Sequence, residues 1–191
     1  MRKLVYYIGV SLDGYIAGPG GEYEFYPTPP EYSGWLNGEF PEAIPVHLRP
    51  HFGIDVDTPN KNWDTMLMGR GTYAAAYDAG VLSPFVHMKQ YVFSSSLGPV
   101  DAPNIEIVDG DPVELVRELK QQEGLDIWLC GGGKLAGQLL DEIDQLILKS
   151  YPVIAGEGIP AFTGVFEPTL FTPTRRKEFD SGAQVTWFDR S

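Results

Sequence analysis

Ile127-Trp128-Leu129-Cys130-Gly131-Gly132-Gly133-Lys134-Leu135-Ala136-Gly137-Gln138-Leu139-Leu140 changes its period half-way along. The first four residues are apolar without alternation, as in a strand buried on both faces, whereas Leu135, Leu139 and Leu140 recur at the spacing of one helical face. Three glycines lie between them. A strand that passes through a glycine turn into a helix is the repeating unit of a parallel sheet with helices packed on its faces.

The same unit recurs on either side. Leu4 to Val10 (LVYYIGV) is continuously apolar and stops at Ser11-Leu12-Asp13-Gly14. Thr65 to Met68 leads into Gly69-Arg70-Gly71-Thr72-Tyr73 and the helix-prone Ala74 to Ala76, and Gln90 to Phe93 stops at Ser94-Ser95-Ser96. Ile105 to Val108 precedes Asp111-Pro112, an N-cap followed by proline at the first helical position. That helix carries Val113, Leu115, Val116 and Leu119 and ends near Gly124. Beyond residue 140 the texture turns to strands, over Gln145 to Ile154, Thr169 to Glu178 and Ala183 to Arg190, the last two joined by Asp180-Ser181-Gly182. The expected fold is one α/β domain over 1–191: three layers, a mixed and mainly parallel sheet, and a C-terminal antiparallel hairpin.

Composition limits the partners. The 43% hydrophobic and 13% aromatic content suffices for a large core. The 26 acidic against 14 basic residues, a formal charge of −12, argue against sequence-independent attraction to nucleic acid or anionic lipid. A single cysteine, Cys130, excludes an internal disulfide, and no apolar run is long enough to span a bilayer as a helix. A cytoplasmic location is the expectation.

Three strand ends carry residues suited to a dinucleotide: Gly69-Arg70-Gly71-Thr72, Ser94-Ser95-Ser96 and Gly131-Gly132-Gly133 with Lys134. Ligands of open α/β sheets bind beyond the carboxyl ends of the strands, where glycine admits a pyrophosphate close to the backbone and Arg70 can pair with a phosphate. Glycines also serve tight turns. Gly18 to Asn62 interrupts the pattern, rich in Gly and Pro and holding Tyr23, Phe25, Tyr26, Tyr32, Trp35, Phe40 and Phe52. It reads as an irregular insertion with one short helix within Pro41 to Phe52 and a mobile tip around Thr28 to Ser33. Its aromatics either pack on the core or, through Tyr26, Trp35 and Phe40, wall a pocket for a flat substrate. Asp13 is a candidate catalytic carboxylate or a turn residue bonded to local N–H groups. His47, His51 and His87 lack matching metal-ligand spacing, so no metal is expected.

The combination of SLDGYIAG (Ser11 to Gly18), LMGRGTY (Leu67 to Tyr73), YVFSSSL (Tyr91 to Leu97), WLCGGGKLAGQLL (Trp128 to Leu140) and PVIAGEGIPAF (Pro152 to Phe162) resembles the dihydrofolate-reductase-like superfamily. It is most similar to the branch formed by the C-terminal reductase domain of riboflavin-biosynthesis proteins. The resemblance implies NADPH as hydride donor. Gly69, Arg70 and Thr72 then match the turn at the cofactor phosphates, and Ser94 and Ser95 the loop beside the adenosine 2′-phosphate. Gly132, Gly133 and Leu135, with Gly131 and Lys134, match the pyrophosphate loop, while Gly9, Ile16 and Ala17 match the nicotinamide edge. The implied activity is reduction of a small pyrimidine-like or pterin-like heterocycle, as by 5-amino-6-(5-phosphoribosylamino)uracil reductase. Folate or pterin reduction, and nucleotide binding without turnover, are the alternatives. Folate reductases hold the pteridine with one acid on the helix after the first strand, for which Glu22, Glu24, Glu39 and Glu42 are available; Arg49 and Lys61 are the cations of the insertion. The branch also implies a homodimer, with residues 145–154 and 183–188 offering the contact.

Overall fold

The apolar run LVYYIGV forms strand β1 (Leu4–Val10) at the middle of a sheet, in a computed structural model that describes residues 1–191. It pairs in parallel with β6 (Asp126–Gly131) on one side and β7 (Gln145–Ser150) on the other, which accounts for its burial on both faces. Beyond β6 lie β3 (Trp63–Gly69), β4 (Lys89–Phe93) and β5 (Ile105–Val108), all parallel. Beyond β7, β10 (Gln184–Arg190) runs antiparallel and hands over to β9 (Phe171–Glu178) at the edge. The order is β5-β4-β3-β6-β1-β7-β10-β9, with β2 (Tyr15–Ala17) and β8 (Ile159–Pro160) forming a separate antiparallel ribbon. The expected mixed, mainly parallel sheet with a terminal hairpin is what forms. The strand expected over 145–154 is the most shortened: it stops at Ser150, and Pro152 has no N–H to continue the ladder, while those expected from Thr169 and Ala183 begin at Phe171 and Gln184.

Helices cover both faces. On one, α3 (Pro112–Lys120) and α4 (Gly133–Gln138) bury Val116, Leu119, Leu135 and Ala136 against Leu4, Tyr6, Leu67 and Leu129. The start of α3 is fixed as its sequence requires, the Asp111 carboxylate accepting the Val113 N–H at 2.9 Å. The other face is covered by α2 (Arg70–Asp78), through Tyr73, and by the insertion. No helix is long and apolar enough to cross a membrane.

Within the insertion the structure departs from expectation. Residues Pro30–Glu39 form α1, and 3₁₀ turns follow over Pro41–Ala43 and Val46–Phe52. The expected mobile tip thus runs into a helix, with Pro30 at its start and the Ser33 hydroxyl donating to the carbonyls of Thr28 and Pro29. Phe40 is 2% exposed and lies parallel to Trp63 at 5.2 Å, with Tyr7 at 4.6 Å; Trp63 in turn stacks on Trp128 at 5.3 Å. Trp35 is half-buried, edge-on to Phe40, Phe179 and Trp187. Phe40 is therefore a core residue rather than a pocket wall, and Trp35 seals the same cluster.

The charged residues of the insertion are structural too. Fully buried Glu42 accepts the N–H groups of Asn62 and Trp63 at 2.6 and 3.1 Å, and its own carbonyl meets His87 Nε2 at 2.8 Å. Arg49 donates to the carbonyls of Ile44, Val56 and Thr58. Neither is free to hold a substrate. Because the Phe40 ring bridges insertion and sheet, Phe40→Ala is expected to cost about 3–5 kcal/mol of unfolding free energy in denaturant titrations. Trp35→Ala should cost less, its ring being partly solvated already.

Candidate active site

The carboxyl ends of β3, β4 and β6 come together. At the end of β3, a Cβ on Gly69 would stand 3.7 Å from both the Gly131 carbonyl and the Gly132 nitrogen, so the two glycine turns touch. Gly132 faces Thr72 Oγ1 and Ile16 Cδ1, at 3.7 and 3.9 Å from where its Cβ would be, while the space at Gly71 is open. Gly69, Thr72, Gly131, Gly132 and Ile16 thus frame one cradle. At its rim the Arg70 guanidinium bonds to the Ser96 hydroxyl, both side chains being exposed.

Several expected cofactor residues are committed elsewhere. Ser94 Oγ accepts the N–H groups of Ser96 and Leu97 at 3.3 and 3.0 Å, so it shapes the loop; Ser95 is exposed, and the serine that meets Arg70 is Ser96. A Cβ on Gly133 would lie 2.0 Å from the Pro160 carbonyl. Glycine there admits β8 against α4. Leu135 is 4% exposed in the core, and Lys134 points to solvent. Of the loop Gly131 to Leu135, only its first two glycines face the cradle. Ala17 is likewise packed, its carbonyl 2.1 Å from where Gly158 would carry a Cβ.

Asp13 proves to be a tether. Its carboxylate accepts the Ser11 hydroxyl at 2.6 Å and the N–H groups of Ala155 and Gly156 at 3.0 and 2.7 Å, binding the β1–β2 turn to the loop after β7. The Ser11 bond, aided by the Ala155 and Gly156 bonds, pulls its pKa down to about 2. A carboxyl so firmly ionised has no proton to give at neutral pH, which removes it as a general acid.

Gly9 opens onto a second region. Its strand neighbour on β7 is Lys149, and a Cβ on Gly9 would meet the Tyr151 ring at 3.0 Å, the Tyr151 hydroxyl at 3.8 Å and Lys149 Cε at 3.9 Å. Tyr26 stacks on Tyr151 with centroids 4.4 Å apart and donates to the Tyr15 carbonyl; Tyr32 donates to the Tyr151 hydroxyl at 2.8 Å. Of the three expected wall residues, Tyr26 is half-buried and lies outside the Phe40 ring cluster. Burial pushes the Cys130 thiol up to about 12 and the Lys149 ammonium down to about 8.

Sequence reasoning missed Ser96, Lys149 and Tyr151. Ser96 belonged to a recognised serine run, and Lys149 is the single charge inside an otherwise strand-like stretch; only register reveals that Lys149 adjoins Gly9. Clefts of about 350 and 450 Å³ lie at the opposite, amino-terminal ends of the strands, lined by residues such as Lys61, Gly124 and Asp126, away from the glycine turns. No three His, Cys, Asp or Glu side chains gather as metal ligands.

The profile of the RibD C-terminal domain matches residues 2–185. The chain belongs to the RibD C-terminal domain family. Relatives of this RibD-type chain include two uncharacterized proteins of Bacillus subtilis (strain 168): YwjB, 27% identical over 186 residues that cover 96% of each chain, and YyaP, 29% identical over 195 residues that cover 95% of this chain and 91% of the other. Among solved structures, a putative riboflavin biosynthesis protein from Shewanella sp. PV-4 superposes with TM-score 0.68 at 21% identity, covering 100% of this chain and 99% of that one. A deaminase/5-amino-6-(5-phosphoribosylamino)uracil reductase from Thermotoga maritima gives TM-score 0.65 at 18% identity, this chain being covered in full but only 57% of the other. Both share the fold.

The Asp13 tether has a pH signature. Because its folded pKa is lowered, the stability it contributes is complete above the ordinary carboxylate range and is lost as pH falls from ~4 toward 2. Melting temperatures of the native protein should therefore drop more steeply over that window than those of Asp13→Asn. Parallel slopes would show that the carboxylate is not engaged.

Proposed function

We propose that the chain is a cytoplasmic NADPH-dependent reductase of a small planar heterocycle of pyrimidine type, akin in chemistry to 5-amino-6-(5-phosphoribosylamino)uracil reductase. The observation that carries this is the cradle of Gly69, Thr72, Gly131, Gly132 and Ile16 with Arg70 and Ser96 at its rim. Membership of the RibD C-terminal domain family supports it.

The residues present fit a bound dinucleotide. Gly71 and Gly132 leave space that a larger side chain would fill, backbone N–H groups at a glycine turn suit a pyrophosphate, and an exposed guanidinium held by a serine hydroxyl suits a phosphate monoester. When bound, the cofactor supplies the hydride. The protein's own part is to hold the acceptor near Ile16 and Gly9 and to keep water from it, with Tyr26, backed by buried Tyr151, as the aromatic side.

The pterin alternative lacks its acid. In α1, Glu31 is exposed and Glu39 is paired with Arg175 at 2.8 Å, while Glu42 is spent on backbone N–H groups. NADPH oxidation on addition of aminopyrimidines would separate an enzyme from a protein that only binds the nucleotide. In calorimetric titrations NADPH should bind more tightly than NADH, and Arg70→Ala should weaken NADPH by roughly 1.5–3 kcal/mol while leaving NADH nearly unchanged. Equal loss for both cofactors would show that Arg70 does not read the 2′-phosphate.

We also propose a homodimer, with its contact moved from the expected strands. β7 and β10 are each paired on both sides within the chain, so the free edge at this end of the sheet is β9, preceded by Val165, Phe166 and Leu170 at 84%, 96% and 74% exposure. Light scattering at micromolar concentration should give twice the chain mass, and Phe166→Asp should reduce it to one. A monomeric native protein would reject the dimer.

A further inference from the structure

Lys149 is a half-buried ammonium without a partner. It takes part in no ion pair, and what it faces is the Tyr7 ring, 4.0 Å from Nζ to centroid. A ring face offers far less to a cation than the water it replaces. In a chain with 26 acids and 14 bases, a carboxylate partner could easily have been supplied. None was, although the position is central: Gly9 on β1 and Val185 on β10 flank Lys149 in register.

No group around it forms an ion pair with Lys149. Tyr7 on β1, Cys130 on β6, Tyr151 after β7 and Tyr32 on α1 all have their pKa values raised, first by burial, and are neutral at neutral pH. Asp13 is spent on Ser11, Ala155 and Gly156, and Glu42, near Tyr7, is fixed on Asn62 and Trp63. On β9, Lys177 lies across Val185 from Lys149 and rests on Phe179; it adds positive charge rather than removing it. Beside Gly9 there is therefore an aromatic cluster and an ammonium with no ion-pair partner, inside a protein that is strongly negative overall.

Resting on the reductase reading above, we propose that Lys149 is the specificity-determining residue of the substrate site, its ammonium receiving the negatively charged oxygen of an acidic planar heterocycle seated beside the half-buried Tyr26 at the carboxyl ends of β1 and β7. Such a ligand provides what Lys149 lacks, an anionic partner for its ammonium. Recognition by charge excludes cationic, protonated pterin-like rings from the same place.

The probe is 5-nitrouracil, a cyclic imide ionised throughout the neutral range, compared with 1,3-dimethyl-5-nitrouracil, which keeps the ring and its nitro group but is methylated on both nitrogens and cannot ionise. Binding is followed by difference absorbance, with and without NADP⁺, in the native protein, Lys149→Met and Lys149→Arg. NADPH affinity and melting temperature are measured for all three. The native protein should prefer the anion by about tenfold or more, and Lys149→Met should lose that preference while keeping its NADPH affinity. Because the Lys149 pKa is lowered to about 8, the preference should be full below that pH and fade above it. Lys149→Arg, which does not titrate there, should keep the preference at high pH and serves if the methionine variant does not fold. A native protein that binds both probes alike, or neither, overturns the proposal, as does an anion preference that survives in Lys149→Met. Absence of NADPH binding in the native protein would instead defeat the reductase reading, and is scored separately.

Discussion

The stacking of Tyr7, Phe40, Trp63 and Trp128 is the contact on which the arrangement of this molecule rests. One sheet face presents flat rings from β1, β3 and β6, and the single ring that closes them, Phe40, comes from the insertion. That ring joins Tyr32 and Trp35 in fixing the segment between β2 and β3 to the sheet. With it, α1 is laid across the sheet, and Tyr32 reaches the Tyr151 hydroxyl that borders Gly9. The buried rings thus run as one aromatic layer from Trp63 at the start of β3 to Tyr151 after β7, near the carboxyl ends of the strands.

Close backbone approach does comparable work on the cofactor side. Pro160 lies so near Gly133 that no side chain fits between them, and this seats the β2–β8 ribbon on the start of α4. Ile16 is carried on that ribbon to the edge of Gly132. The glycine run therefore divides its labour: Gly131 and Gly132 leave a space, and Gly133 removes one. A triplet of identical residues conceals this division, because packing and ligand approach require the same absence of a side chain.

Much of the framework was legible in the sequence because its signals are local. Unbroken apolar runs before glycine turns marked β1, β3 and β6, and Asp111-Pro112 marked α3. The helix α1 left no such trace, since Pro30-Glu31-Tyr32-Ser33-Gly34-Trp35-Leu36-Asn37-Gly38-Glu39 holds two glycines and no sustained apolar stripe; its tertiary contacts through Tyr32 and Trp35 hold it. Site residues divided along the same line. Gly69, Arg70, Thr72 and Gly132 were found by pattern, whereas Lys149 became meaningful only through its register with Gly9, some 140 residues away. Phe40 and Asp13 were left open between two roles for a related reason: an aromatic or a carboxylate near a site looks the same in sequence whether it faces a ligand or the protein.

The central position of β1 has a consequence in time. β1 leaves the ribosome well before its two neighbours, which follow only at residues 126–131 and 145–150, and the ribbon partner of β2 comes later still, at Ile159–Pro160. At ordinary rates of synthesis, about 5–20 residues per second, a seven-residue apolar segment waits on the order of ten seconds with its hydrogen-bonding edges unpaired. Until then it is as ready to join a foreign edge as its own. Productive folding of the nascent chain accordingly depends on keeping β1 solitary until the second half arrives, a burden that falls on translation speed and on chaperones rather than on the finished structure.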